Sequence, residues 1–119
     1  MKTFAGFCFA TLFLVSASSA FAVCSSPPTA NTDVYNMAKN TTLNIFDADL
    51  ALNDTDPDAG DSLTSYVSGY PSSGSWCGVA PGGWCYQPPT NFTGLVAIPY
   101  TVQDTCNNTD GGTILIYVQ

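Results

Sequence analysis

The sequence predicts an all-β fold, a two-sheet antiparallel sandwich of about seven short strands. Three observations predict it: apolar residues alternate with period two, turn-forming residues separate those runs, and no 3.6-residue stripe occurs beyond the first residues. The clearest run is "LVAIPYTVQ", with Val96, Ile98, Tyr100 and Val102 on one face and Ala97, Pro99, Thr101 and Gln103 on the other. "TILIYVQ" sets Ile114, Ile116 and Val118 on one face, "TTLNIF" offers Leu43 and Ile45, and "SLTSYVS" offers Leu63 and Val67. Strands are expected near 33–37, 41–46, 62–68, 74–79, 83–88, 95–103 and 112–118. The intervening Asp, Asn, Thr, Gly and Pro suit turns better than helices. Short strands punctuated in this way indicate a sandwich. Pro99 has no N–H for a ladder, so a bulge or an unpaired edge position is expected there.

Residues 1–22 read as a secretory signal peptide. Lys2 is followed by the apolar "FAGFCFATLFLV", and "ASSAFA" places Ala20 and Ala22 as a signal-peptidase site. The apolar run is far shorter than the roughly 20 residues of a membrane span, so no membrane insertion is expected. Lipidation at Cys24 is disfavoured by Val23 just before it. Residues 23–32 form a Pro/Ser/Thr/Asn-rich arm, expected to be extended and exposed, and 33–119 form the domain.

Cleavage after Ala22 leaves 97 of 119 residues, enough for one modest core. Nine Asp then stand against Lys39 alone, a net charge of −8, with no Glu, Arg or His in the chain. Nucleic acid and anionic lipid need Lys and Arg near their phosphates, so neither is an expected partner. Without His there is no Ser-His or Cys-His dyad. An open, charge-saturated acidic loop does not raise a carboxyl pKa as a general acid needs. The chain is read as no enzyme, and as secreted or surface-located.

Four cysteines remain after cleavage, Cys24, Cys77, Cys85 and Cys106. An even number in a small exported domain reads as two disulfides; zinc is the competing use, but there is no C-x-x-C pair and no His. A three-residue turn over Ala80, Pro81 and Gly82 pairs Val79 with Gly83 and sets Cys77 across from Cys85. That pairing leaves Cys24 to meet Cys106.

The order "PPTANTDVY", "LALNDTDPDAGDSLT", "SGSW", "GGWCYQPPTNFTG", "IPYTVQD" and "GGTILIYV" resembles the cadherin-like, immunoglobulin-like repeats of bacterial surface proteins and large adhesins. The resemblance covers Pro27 to Gln119. It implies an extracellular immunoglobulin/cadherin-like sandwich, often calcium-binding and strung in tandem. This chain departs from the pattern in its single copy, in Ala59 between Asp58 and Gly60, and in its four cysteines.

"NDTDPDAGD" crowds Asp54, Asp56, Asp58 and Asp61 into one loop with no cation beside them. Two carboxylates about 8 Å apart in water repel by roughly 0.5 kcal/mol, so several pairs cost a few kcal/mol out of a net stability of about 5–10 kcal/mol. A bound cation removes that cost, and hard oxygen ligands suit calcium. In a sandwich of this strand order, the start of the first strand shares an end with the second-to-third and sixth-to-seventh connections. Asp33, Asn53, Asp54, Asp56, Asp58, Asp61 and Asp104 are therefore the expected ligands, with Asp110 nearby. An EF-hand does not fit: Ala59 stands where Gly is needed and Ser65 where the bidentate Glu belongs. The competing reading is a solvated acidic loop that keeps an exported protein soluble.

Trp76, Trp84 and Tyr86 flank one hairpin and could stack sugar rings; core packing is the competing reading. The expected function is an extracellular adhesion, matrix or surface-assembly module with a protein or glycan partner. The alternatives are a carbohydrate-binding module and a subunit that self-associates through edge strands or its N-terminal arm.

Overall fold

The computed structural model describes residues 24–119. The expected signal peptide, with its Cys8, lies outside the described residues, as does Val23. Seven strands follow in order: β1 (Asp33–Met37), β2 (Leu43–Phe46), β3 (Thr64–Val67), β4 (Ser75–Ala80), β5 (Gly83–Gln87), β6 (Gly94–Gln103) and β7 (Thr109–Val118). They form a four-stranded sheet, β1-β7-β6-β3, and a three-stranded sheet, β2-β5-β4. This is the two-sheet sandwich expected from the alternation, in the immunoglobulin-like form that the resemblance implies.

One pairing is parallel. β1 lies beside β7 with Asp33 opposite Ile114 and Met37 opposite Val118, while every other pair is antiparallel. The first strand thereby joins the sheet of the last one, and its start lies at the end where β6 turns into β7.

The inward positions build the core. Val96, Ile98, Tyr100 and Val102 from β6 and Ile114, Ile116 and Val118 from β7, with Met37 from β1, meet Ile45 and Tyr86 from the facing sheet. At about 25 cal/mol per Å² of apolar surface removed from water, these alternating side chains hold the two sheets together. Gly112 belongs to this packing: a Cβ there would collide with the Tyr100 ring.

At Pro99 the second of the two expected forms is found, and two other local features differ from expectation. Pro99 sits in regular register opposite Thr113, with no bulge against β7. Its carbonyl accepts from Ser68 N, just beyond the end of β3, so its missing N–H faces a side where the ladder has already stopped. The β4–β5 turn has two residues, Pro81 and Gly82, with Ala80 opposite Gly83 and Gly82 at φ 74°. Pro then Gly with positive φ is the chemistry of a type II turn. Finally, a helical turn, α1 (Asp47–Leu50), runs into a 3-10 segment, Ala51–Asn53. Four residues are too few to show a period in sequence; fully buried Leu50 anchors the turn, and Asp47 and Asp49 suit its first residues.

The N-terminal arm is not a free strand end. Pro28 is buried, and Thr29 forms an isolated antiparallel bridge with Thr55. No helix among the described residues is long and apolar enough to cross a membrane.

Candidate metal centre

The nine aspartates all belong to segments at one end of the sandwich: the start of β1, the β2–β3 connection, the β6–β7 turn and the start of β7. Within that end seven of them fall into two groups with different surroundings, while Asp49 stands in the helical turn and Asp110 accepts from Ala30 N.

The first group centres on Asp54, which is 8% exposed. Its Oδ1 accepts from Asn31 N at 2.8 Å and from the Tyr100 hydroxyl at 2.7 Å. Its Oδ2 accepts from Ser65 Oγ at 2.8 Å. A carboxylate so supplied has its lone pairs committed to β1's lead-in, β3 and β6, and acts as a latch between them. Asn53 serves the same junction: its Nδ2 donates to Thr32 O, and its carbonyl accepts from Asn31 Nδ2. Burial, and then the nearby Asp54 charge, raises the Asp33 carboxyl to about 6, and Asp33 Oδ2 is buried without a hydrogen bond. Asp47 is likewise raised by burial, with Oδ1 unpartnered.

The second group is Asp56, Asp58, Asp61 and Asp104. Carboxylate oxygens of Asp56, Asp58 and Asp61 lie within 4.8 Å of one another, and Asp61 also lies within that distance of Asp104. Cys106 Sγ is equally close, but it is bonded to Cys24 and so offers no thiolate. The loop's own hydrogen bonds gather these side chains. Asp56 Oδ1 accepts from Asp58 N at 2.7 Å, folding the loop back across Pro57. Asp61 Oδ1 accepts from Ser62 N and from the Thr105 amide and hydroxyl, tying the β2–β3 connection to the β6–β7 turn. Asp104 Oδ1 accepts from Cys106 N and Asn108 N, each at 2.8 Å, and shapes that turn.

Asp58 holds the arm. Its Oδ2 accepts from Ser25 N and Ser26 N, and its Oδ1 from Ser25 Oγ at 2.7 Å. The Ser25 hydroxyl keeps the Asp58 carboxyl below its usual range, and the Thr105 hydroxyl does the same for Asp61. Both therefore stay ionised at neutral pH. Against these satisfied oxygens stand Asp56 Oδ2 and Asp61 Oδ2, both buried with no hydrogen-bond partner. Orphaned buried carboxylate oxygens are costly unless a cation or water meets them.

The cysteines pair as Cys24–Cys106, with Cα atoms 5.7 Å apart, and Cys77–Cys85, at 5.1 Å. The shorter hairpin turn alone would set Gly78 opposite Cys85; a register shift between Trp76 and Gly78 returns Cys77 to bonding distance.

Tyr86 is fully enclosed and donates to Ser73 O at 2.8 Å. Trp76 and Trp84 are half-buried on the same inward face, with ring centroids 5.2 Å apart and planes tilted by 44°. They line an open cleft of about 270 Å³ between the sheet edges, with Val67, Ser68, Gly69 and Tyr70 opposite. Tyr70 is 83% exposed. The sequence reading missed Tyr70 because it follows β3 in a Gly- and Ser-rich loop that carries no alternation. It also missed Ser65 and Tyr100 at the latch, because their alternation marks them only as core.

Comparison with known proteins agrees with this architecture. The family profile of the bacterial Ig domain matches residues 25–117. Such domains are a non-enzymatic type of module, often found outside the cell. A solved structure from Saccharophagus degradans, described as a nucleoside hydrolase-related hypothetical protein associated with carbohydrate metabolism, superposes with a TM-score of 0.51 at 23% identity. The match covers 79% of this chain and 26% of that one, and it speaks to the fold alone. No curated protein matches this chain.

Proposed function

We propose that this chain, which belongs to the bacterial Ig domain family, is a secreted, cadherin-like module whose acidic end is ordered by calcium for extracellular adhesion or surface assembly. The observation that carries this reading is the pair of buried, unpartnered oxygens, Asp56 Oδ2 and Asp61 Oδ2, among four clustered carboxylates. All donors are hard oxygens, the set that calcium takes six to eight at a time. Asp56, Asp58, Asp61 and Asp104 would hold the ion. Asn53 and Asp54, whose atoms serve the neighbouring latch, and Asp33, which stands beside Asp54, would stay outside it.

The ion would neutralise repulsion among the four side chains and lock the β2–β3 connection against the β6–β7 turn. Asp58 links this to the arm, since it also holds Ser25 and Ser26. A weak extracellular site, with a dissociation constant of about 10⁻⁴–10⁻³ M, would be filled at millimolar calcium. Thermal melting in calcium and in excess chelator tests the reading. A fall of several degrees on chelation is expected; identical curves would remove the metal from this function. The module would bind or position partners without catalysing a reaction.

The second reading, sugar binding, is favoured by one observation: the cleft of Trp76 and Trp84 with exposed Tyr70 at its mouth. Aromatic faces stack on sugar rings. Glycan binding lost in Tyr70→Ala and indifferent to chelator would select it over the calcium-dependent module.

A further inference from the structure

We propose that the outer face of the β1-β7-β6-β3 sheet is a self-association surface, on which two copies of this chain pack face to face. This does not rest on the calcium reading. The face is made by the outward positions of four strands, and their register places apolar side chains side by side. Leu95 lies opposite Tyr117, Ala97 opposite Leu115, and Leu115 in turn opposite Val34. Val34 is 56% exposed, Leu95 51%, Tyr117 43% and Tyr66 39%, although each belongs to a strand.

The charge distribution is the second observation. All nine aspartates belong to segments at one end of the sandwich, and no outward position of these four strands carries a charged residue. A sheet face exposed only to water ordinarily alternates polar-out, with charges among the outward residues. Here the outward residues beside Leu95, Ala97 and Leu115 are Thr, Pro, Gly and Asn or Gln.

Size and charge both point to a second copy as the occupant. The four strands hold 5, 4, 10 and 10 residues; at roughly 16 Å² each they present about 460 Å², so two copies bury on the order of 1,000 Å². That suffices for a weak, reversible dimer and falls short of a permanent one. In an antiparallel arrangement about a two-fold axis, the same patch serves both partners and the acidic ends lie far apart. A parallel arrangement would set the two acidic ends side by side. The dimer is therefore antiparallel, and added salt should not weaken it.

Sedimentation equilibrium tests the proposal on the full chain and on a form lacking residues 1–22, over about 10 μM to 1 mM protein. Both forms should approach twice the monomer mass, with or without chelator. Leu95→Glu should weaken association at least tenfold, and Tyr117→Ser, which adds no charge, should weaken it measurably. Val79→Glu, on the other sheet and more exposed at 74%, should leave it unchanged. Far-UV circular dichroism confirms that each variant is folded, and Tyr117→Ser decides the matter if Leu95→Glu is not. A shorter form monomeric throughout, association equal in all variants, weakening by Val79→Glu, or open-ended growth would each overturn the proposal.

Discussion

The Tyr100 hydroxyl stands 2.7 Å from Asp54 Oδ1, and this contact fastens the β2–β3 connection to the middle of β6. Burial, and then the Asp54 carboxylate, holds the Tyr100 phenol far above its usual range, so it remains a donor. Tyr100→Phe keeps the ring against Gly112 and removes only that donor. Because Asp54 stays buried with one bond fewer, a loss of about 1–3 kcal/mol is expected in urea denaturation. Any calcium response should be unchanged, since the latch is separate from the second carboxylate group.

Asp56→Asn tests that second group from the other side. The amide oxygen can still accept from Asp58 N, so the loop's turn survives. One negative charge is gone and the orphaned Oδ2 becomes an amide donor facing acceptors. In chelator the variant should be as stable as the parent, or more so. In calcium its gain in melting temperature should shrink, with affinity reduced at least tenfold in a calcium titration by calorimetry.

The two disulfides should differ in weight. Cys24–Cys106 spans 82 residues and Cys77–Cys85 spans 8. The chain-entropy account assigns about 4.5 kcal/mol to the longer closure and about 2.5 to the shorter. Replacing Cys24 and Cys106 together by Ser should therefore cost more than replacing Cys77 and Cys85, by roughly 2 kcal/mol in guanidinium midpoints converted to free energy.

Asp33 gives a pH dependence of defined sign. Its folded-state value, about 6, lies above the ordinary 3.8, so the folded chain holds this proton more tightly than the unfolded one. The favourable contribution is complete below about pH 4 and is lost as pH rises through 6. A rise of that size is worth about 3 kcal/mol for a fully buried group; solvent screening at this half-buried one leaves about 1 kcal/mol. Asp33→Asn should accordingly raise stability by about that amount at pH 7 in chelator and change little at pH 4, as melting at the two values will show. Asp58 and Asp61, held below their usual range, contribute with the opposite sign. Their share is present above about pH 4 and disappears as pH falls further.

Much of the fold was legible because period two is a property of the chain itself. The inward set of β6 could be read off "LVAIPYTVQ" because successive side chains must point to opposite faces. α1 was not legible, since one turn has no period and depends on Leu50 finding the core. The turn over Pro81 and Gly82 was misjudged by one residue, and a compensating bulge hides that error from any argument based on the cysteines alone.

The candidate site was legible in composition and not in partition. Counting aspartates locates the acidic loop, but charge and spacing treat Asp54 and Asp56 alike. They differ because Asp54 faces inward, where Tyr100 and Ser65 can reach it, while Asp56 faces Asp58 and Asp61.

By itself, then, the sequence determined a sandwich with one acidic end: alternation sets which side chains are buried, and loop composition sets where charge collects. Only the tertiary structure decided which carboxylates became hydrogen-bond acceptors and which were left with orphaned oxygens. Donors such as Ser25, Thr105 and Tyr100 lie 33, 44 and 46 residues from their partners. No local pattern encodes a hydrogen bond across such a distance; it exists only once the two sheets have closed.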